Sequence, residues 1–478
     1  MMTRTVRLSR IAVSIAAAGF VAACSSLSRG RAPNAASIVD GTAPQYVRRD
    51  TTADPFSASL ARAAWRDARR QEEMQRGFWT DIAVLDIAGA KQDAVGLDQR
   101  TFVAALQHLM MSDPQGAAIA FHALQKTTGD SLVRNRARDG LTMALRWYSD
   151  WATIAGLEPD PDSVSRGRAD SSAGHGAVEL WARTLAATPP PVISIADGPI
   201  VLPLRRSRVG TPIVRVTING HAHEFWLDTG ASMTVISADV AAEAGVRLVA
   251  ADSLSLGVIG GSIDARAAVI DSLQLGGFTA HGIATAVVEA RMLRLDYAVQ
   301  NGEAIPIRLD GVIGVDLLRW MDIVIDVPSG TISIARPQQH LSVDRNLFWV
   351  GFPVVRLISK DGQPLLFGLD TGAQDTYVTL GLLRKLPDTH VAIRRGRIGG
   401  LGGREEPTEW VATDVAVSDG RYAIRLLNAP VAGARPSSFI TFDGMLGSDI
   451  ALRTRLHLDF ENGVFDVRPS EIRGTAKR

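Results

Sequence analysis

Phe225-Trp226-Leu227-Asp228-Thr229-Gly230-Ala231 and, 142 residues further on, Phe367-Gly368-Leu369-Asp370-Thr371-Gly372-Ala373 are two copies of one phrase. Each is approached in the same way, by Pro212-Ile213-Val214-Arg215 or Pro353-Val354-Val355-Arg356 and then an alternating strand. The agreement continues downstream. Ser237 and Thr379, each nine residues after its aspartate, suit the N-cap of a short helix. Asp310-Gly311-Val312-Ile313-Gly314 corresponds to Asp443-Gly444-Met445-Leu446-Gly447. Twelve residues after the last glycine of each stands Asp326 or Asp459, and sixteen after it a turn glycine, Gly330 or Gly463. By average usage one Asp-Thr-Gly turns up roughly once in ten chains of this length, so a single copy says little. Two copies with matching offsets define an internal repeat with a unit of about 130 to 140 residues.

A strand that delivers Leu-Asp into Thr-Gly puts the aspartate at a tight turn, where glycine permits close backbone approach and the threonine hydroxyl can bond a neighbouring backbone. One such carboxylate from each unit, brought together at a pseudo-twofold interface, makes a dyad. Two carboxylates about 3 Å apart do not readily both ionise, so they share a proton. That state suits amide hydrolysis. The ionised member takes a proton from a water between the pair, the protonated member hydrogen-bonds the scissile carbonyl, and the proton passes to the leaving nitrogen. The protonation states belong to the pair rather than to either residue.

Over about 205 to 470 both units resemble retropepsin-type aspartic peptidases, here with two lobes in one chain, an arrangement similar to pepsin. The resemblance implies that Asp228 and Asp370 are the catalytic pair, that Thr229 and Thr371 hydrogen-bond across to the opposing loop, and that Gly230 and Gly372 allow the turn. It implies that Val312-Ile313-Gly314 and Met445-Leu446-Gly447 pack behind the catalytic loops. It also implies a flap, a glycine-tipped hairpin over the substrate, with Gly260 and Gly261 as its candidates in the first lobe and Gly399 and Gly400 in the second. The substrate is then a polypeptide, and no cofactor or metal is called for. Two departures stand out. Gln374-Asp375 follows Ala373, and Asp375 is expected to face solvent. Asp228 to Gly314 spans 86 residues but Asp370 to Gly447 only 77, so the cleft should be asymmetric. The short gap between units favours pairing within the chain over each lobe pairing with its twin in a homodimer.

The remaining sequence reads as separate parts. The 478 residues, 46% apolar and 21% charged, permit ordinary packed cores over several domains. Arg4, Arg7 and Arg10 precede the apolar run from Ile11 to Ala23, a basic start and a core too short to span a bilayer. The run ends Val21-Ala22-Ala23-Cys24, which resembles the lipobox of bacterial lipoproteins and makes Cys24, the chain's one cysteine, the lipidation site. Several acyl chains give stable anchoring. Ser25 in place of an aspartate favours, by the sorting rule of Gram-negative lipoproteins, the outer membrane. The expected location is therefore the periplasm, lipid-anchored at the outer membrane. Loss of three arginines and no acid takes the net charge from +1 to −2, which argues against a nucleic-acid partner. A lone Cys24 also excludes an intramolecular disulfide and thiol catalysis in the folded body.

Residues 25 to 53, rich in Ser, Ala, Arg and Pro, read as a tether. From Asp54-Pro55, and again at Asp113-Pro114, an N-cap precedes a proline at the first helical position, and Gly77 suits the end of a first helix. Apolar triplets follow at i, i+4, i+7: Phe102, Leu106, Leu109; Ala117, Phe121, Leu124; Leu141, Leu145, Tyr148. They predict a helical region that is either a plain bundle or a short helical-repeat array of the tetratricopeptide kind, a possible dock for a protein partner. A short helix over 177–187 and the stiff Thr188-Pro189-Pro190-Pro191 close it.

The expected organisation is a multidomain chain: signal peptide 1–23, tether 24–53, α-helical, helical-repeat-like region and linker 54–190, then two mainly-β retropepsin-like acid protease lobes, 195–340 and 341–472. His221 and His223 share a strand face but lack a third ligand, the glycines of 396–403 lack the lysine of a phosphate loop, and Asp326 and Asp459 read as hairpin residues. The function expected is a periplasmic, membrane-anchored aspartic endopeptidase. The alternative is a catalytically inactive, protease-like lipoprotein that binds peptides or serves as a scaffold.

Overall fold

The structure, a computed structural model, describes residues 25–26, 37–38, 77–157, 175–207, 210–250, 252–258, 261–298, 304–338, 344–395, 398–400, 403–405, 408–432 and 439–470. The leader, Cys24, nearly all of the tether, the Asp54-Pro55 start and Gly260 lie outside the described residues.

Between residues 78 and 185 the described residues form seven helices: α1 (Phe78–Ala83), α2 (Ile87–Asp93), α3 (Gly96–Met110), α4 (Pro114–Thr127), α5 (Ser131–Tyr148), α6 (Trp151–Ala155) and α7 (His175–Leu185). Gly77 stands at the N-cap of α1. Aspartates start four others. Asp86, Asp113, Asp130 and Asp150 each accept a hydrogen bond from a backbone N–H of the first turn, satisfying a donor that has no partner inside the helix. At α4 the following Pro114 supplies the preset φ. Of the nine periodic apolar residues, eight are buried and Tyr148 is half-buried. Phe102 of α3 and Phe121 of α4 meet edge to face at 5.4 Å. Helix α5 approaches closely because it presents Gly140 there: a Cβ at that position would sit 2.5 Å from Phe121 Cζ.

The strands form two large sheets of matching order. In the first, the path runs 254–258, 261–275, 278–288, 235–237, 311–313, 221–227, 212–218, 205–206. In the second it runs 391–395, 408–418, 423–432, 377–379, 444–446, 364–369, 353–359, 347–349. Each aspartate-bearing strand pairs in parallel with a short apolar strand, Phe225–Leu227 with Gly311–Ile313 and Phe367–Leu369 with Gly444–Leu446. Both short helices after the Asp-Thr-Gly turns, Ala238–Glu243 and Leu380–Lys385, are capped as expected, by the hydroxyls of Ser237 and Thr379.

A third sheet joins the lobes. Its order is 464–469, 454–459, 322–326, 331–335, 200–203, and its central pairing is antiparallel between Asp322–Asp326 of lobe 1 and Arg455–Asp459 of lobe 2. Alternation buries Ile323, Ile325, Ile332, Ile334, Leu456 and Leu458 on one face. Asp326 and Asp459 are hairpin residues: each carboxylate accepts the backbone N–H three residues on, from Ser329 or Asn462. The glycine that ends each turn, Gly330 or Gly463, has φ +68°, a conformation that costs glycine nothing.

The length difference between the lobes is localised. Val288 and Ala432 occupy equivalent places in the parallel pairing with Ser237 and Thr379. From there lobe 1 takes 26 residues to reach Gly314, and lobe 2 takes 15 to reach Gly447. The excess is a hairpin, Arg294–Ala298 with Ala304–Arg308, whose first strand lies beside the lobe-2 strand Ile398–Gly400.

The helices dock on the lobes rather than standing apart. Thr441 N–H donates to Ala83 O (2.8 Å), Ser112 Oγ to Phe460 O (2.8 Å), and Phe102 and Trp147 meet Phe439 and Trp349 at 5.8 and 5.4 Å. Gly140→Val is expected to lower stability by roughly 1–3 kcal/mol by forcing the Phe121 ring aside. Thermal unfolding followed by circular dichroism checks this against a substitution on the solvent face of α5.

Candidate active site

The site begins with two backbone bonds. Asp228 N–H donates to Ile313 O (3.0 Å) and Asp370 N–H to Leu446 O (2.9 Å), so each aspartate is fixed by the short strand that runs parallel to its own. The chain then turns, with Ala231 and Ala373 N–H donating back to the carbonyls of Asp228 and Asp370 (3.2 and 3.1 Å). Behind each turn a second bond ties the loop down, Val315 N–H to Ala231 O and Ser448 N–H to Ala373 O. Val312-Ile313-Gly314 and Met445-Leu446-Gly447 thus sit against the backs of the two loops.

Thr229 and Thr371 cross between the lobes. Each hydroxyl accepts the other's backbone N–H (3.0 Å both ways) and donates to a carbonyl of the opposite lobe, Leu369 O or Leu227 O (2.8 Å both). Gly230 and Gly372 make room: a Cβ on Gly230 would lie 2.5 Å from Asp370 Cγ, and one on Gly372 would overlap the Asp228 carboxyl. The two aspartates, 0% and 3% exposed, are therefore packed against each other's glycine. Pairing is within the chain, and the homodimer arrangement is not needed to bring the carboxylates together.

Burial pushes the Asp228 carboxyl well above the usual carboxylate range. A hydrogen bond with the Asp370 carboxyl and the amides of Gly230, Ala231 and Gly372 oppose that shift. A carboxyl–carboxyl hydrogen bond requires one shared proton. In the second loop Ala373 N–H donates to Asp370 Oδ1 (2.9 Å).

One further pair of groups escaped the sequence reading. Six residues after Asp228 and Asp370, Thr234 and Thr376 accept the amides of Gly314 and Gly447 and donate to Asp316 Oδ1 (3.0 Å) and Asp449 Oδ1 (2.6 Å). The signal was present as equal offsets, a threonine at plus six and an aspartate two after the glycine. Burial pushes Asp316 up to about 6 and Asp449 up to about 7 against those hydrogen bonds.

Asp375 corrects an expectation. It does not face solvent; it is 8% exposed. The reason is local: Thr376 is bound to Gly447 and Asp449, and the Asp375 backbone lies where a Cβ on Gly447 would come to 2.7 Å. The same place in lobe 1 is filled by buried Met233. Of the flap candidates, Gly261 begins strand 261–275 opposite Val258, while Gly399 and Gly400 lie in a hairpin in which Gly400 faces Gly403. His221 lies 3.7 Å from Glu243 and His223 3.9 Å from Asp310.

Residues 214–317 match the aspartyl protease family model, a stretch that runs from strand 212–218 to the short helix after Gly314. No curated protein matches the chain. Among solved structures it is similar to an aspartic proteinase from Irpex lacteus, at 12% identity over 58% of this chain and 99% of that one, with a TM-score of 0.33. It is also similar to a retropepsin-like aspartic protease from Rickettsia conorii, at 18% identity over 30% of this chain and 91% of that one, with a TM-score of 0.19. Residues 214–317 are thus aspartyl protease-like, and the chemistry must be judged from the site itself.

An aspartate in an unfolded chain ionises near pH ~3.9. Because folded Asp449 keeps its proton to about 7, the folded state binds more protons between those values, and stability falls as pH rises through them. The contribution is complete below the unfolded value and lost above the folded one. Asp449→Asn is expected to flatten the dependence of urea-unfolding free energy on pH between ~4 and ~7, with the Thr376 hydroxyl still accepted by the amide oxygen. An unchanged slope would contradict the assignment.

Proposed function

We propose that this chain is an aspartic endopeptidase of the retropepsin type whose dyad, Asp228 with Asp370, is assembled within one polypeptide. The observation that carries the reading is the reciprocal exchange between Thr229 and Thr371, which holds two buried carboxyls face to face across a pseudo-twofold axis.

The chemistry follows from the shared proton. A water between the carboxyls loses a proton to the ionised member as its oxygen attacks the scissile carbonyl carbon, while the protonated member donates to the carbonyl oxygen. Collapse of the tetrahedral species breaks the C–N bond, and the proton taken from water goes to the leaving nitrogen. The amides of Gly230, Ala231 and Ala373 already face the two carboxyls, so little reorganisation is required when charge moves between them. Hairpins 254–275 and 398–405 serve as flaps, excluding water from the closed complex. The substrate is an extended polypeptide, whose backbone can bond to strand edges. Lipid on Cys24 holds the enzyme at the periplasmic face of the outer membrane, and the helical region offers a surface for a protein partner.

Asp228→Asn and Asp370→Asn, made singly, are each expected to lower turnover of an unfolded polypeptide library by about 100-fold or more, read by mass spectrometry of the products. Full activity in either variant would sink the dyad, and peptide binding without turnover from pH 3 to 8 would favour the scaffold alternative. Because burial raises the proton affinity of Asp228, the wild-type descending limb should lie above the ordinary carboxylate range of ~3.9. Separately, Cys24→Ala is expected to move the protein from the membrane pellet to the soluble fraction.

A further inference from the structure

Strand Leu254–Val258 is the edge of the first sheet, and it forms the outer arm of the lobe-1 hairpin. An edge strand leaves one row of backbone groups without a strand partner. Here a helix covers that edge. Trp181 of α7, 1% exposed, donates its Nε1–H to Ser255 O at 2.9 Å. On either side of Ser255 the side chains of Leu254 and Leu256 are buried, so the carbonyl that Trp181 holds lies in a well-packed part of the arm.

Helix α7 is anchored at its other side. Glu179 makes an ion pair with Arg138 of α5, both side chains largely buried, and Arg183 adds to the same carboxylate at 3.4 Å. Ala182 and Leu185 are fully buried, and after the prolines of 189–191 the chain pairs at once with strand 278–288 through Val192–Ile195. Trp181 also lines, with Ser232 and Met233, a cavity that has about 20 Å³ of room for water-sized particles. One side chain therefore holds the hairpin arm and borders a cavity shared with the residues that follow the Asp-Thr-Gly-Ala turn.

We infer that Trp181 is a positioning residue for the lobe-1 flap, and that the helical region braces that hairpin through α7 instead of leaving it to swing on the sheet alone. The catalytic consequence rests on the peptidase reading above; the mechanical one does not. With the brace in place, the positions available to arm 254–258 are limited to those that keep Ser255 O on the indole.

The test is Trp181→Phe, which keeps an aromatic ring and deletes the N–H. Hydrogen exchange followed by mass spectrometry is expected to speed up by about fivefold in 254–264, the effect of losing one hydrogen bond, with no change in 454–469 of the interlobe sheet. In peptide cleavage KM should rise several-fold with kcat within about twofold, the pattern of lost binding rather than lost chemistry. Glu179→Gln, which loosens α7 without touching Trp181, should shift exchange in 254–264 in the same direction. Wild-type exchange rates at 254–264 in both variants would overturn the inference, as would an equal rise in 454–469, which would mark global loosening. If exchange moves as stated but the wild type cleaves no peptide, the brace stands and the peptidase reading fails.

Discussion

The two threonine hydroxyls that trade places between lobes hold the molecule's centre together. Each is at once acceptor and donor, so four hydrogen bonds join Leu227-Asp228-Thr229 to Leu369-Asp370-Thr371 with no solvent in reach. Such bonds are worth about 1 kcal/mol apiece when made, but leaving a buried partner unmatched costs about 1–3 kcal/mol. The exchange can close only if both loops arrive at the same height and angle. The interlobe sheet supplies that condition, because its central antiparallel pair comes one strand from each lobe and repeats the same twofold relation. The short parallel strands behind the loops supply the rest. With the lobes fixed in this way, two carboxyls are buried against each other, and the raised proton affinity of Asp228 follows from that burial.

Much of this was legible before any coordinates. The doubled Asp-Thr-Gly with its downstream offsets located both loops, both capping hydroxyls, both apolar segments behind the loops and both hairpin aspartates, because each of these is a local device tied to a turn or a cap. The helical triplets marked the right faces for the same reason. Other features were not legible because they depend on what packs over a residue. Asp375 looked like a surface carboxylate from its chemistry, yet the loop that carries it is pulled under by Thr376, and the slot is occupied by Met233 in the other lobe. Thr234, Asp316, Thr376 and Asp449 lay at equal offsets in plain view. Only their contacts show that the pairs bind each other rather than solvent.

The docking of the helices was the least readable part. Nothing in the periodicity of α3 or α5 distinguishes a face that covers a neighbouring helix from one that covers a lobe, and the aromatic contacts from Phe102 to Phe439 and from Trp147 to Trp349 bridge residues more than two hundred positions apart. The prolines of 189–191 read as a stiff connector that closes the helical region, and they lead from α7 directly into a strand of the first sheet.

The extra hairpin at 294–308 belongs to lobe 1 alone and reaches to the lobe-2 strand at 398–400. Two identical halves would present the same wall to either end of a bound chain and could not distinguish which way it ran. Once the halves share a polypeptide, a single insertion removes that degeneracy. Under the function proposed above, a peptide laid from amino to carboxyl end would meet a different surface from the same peptide reversed.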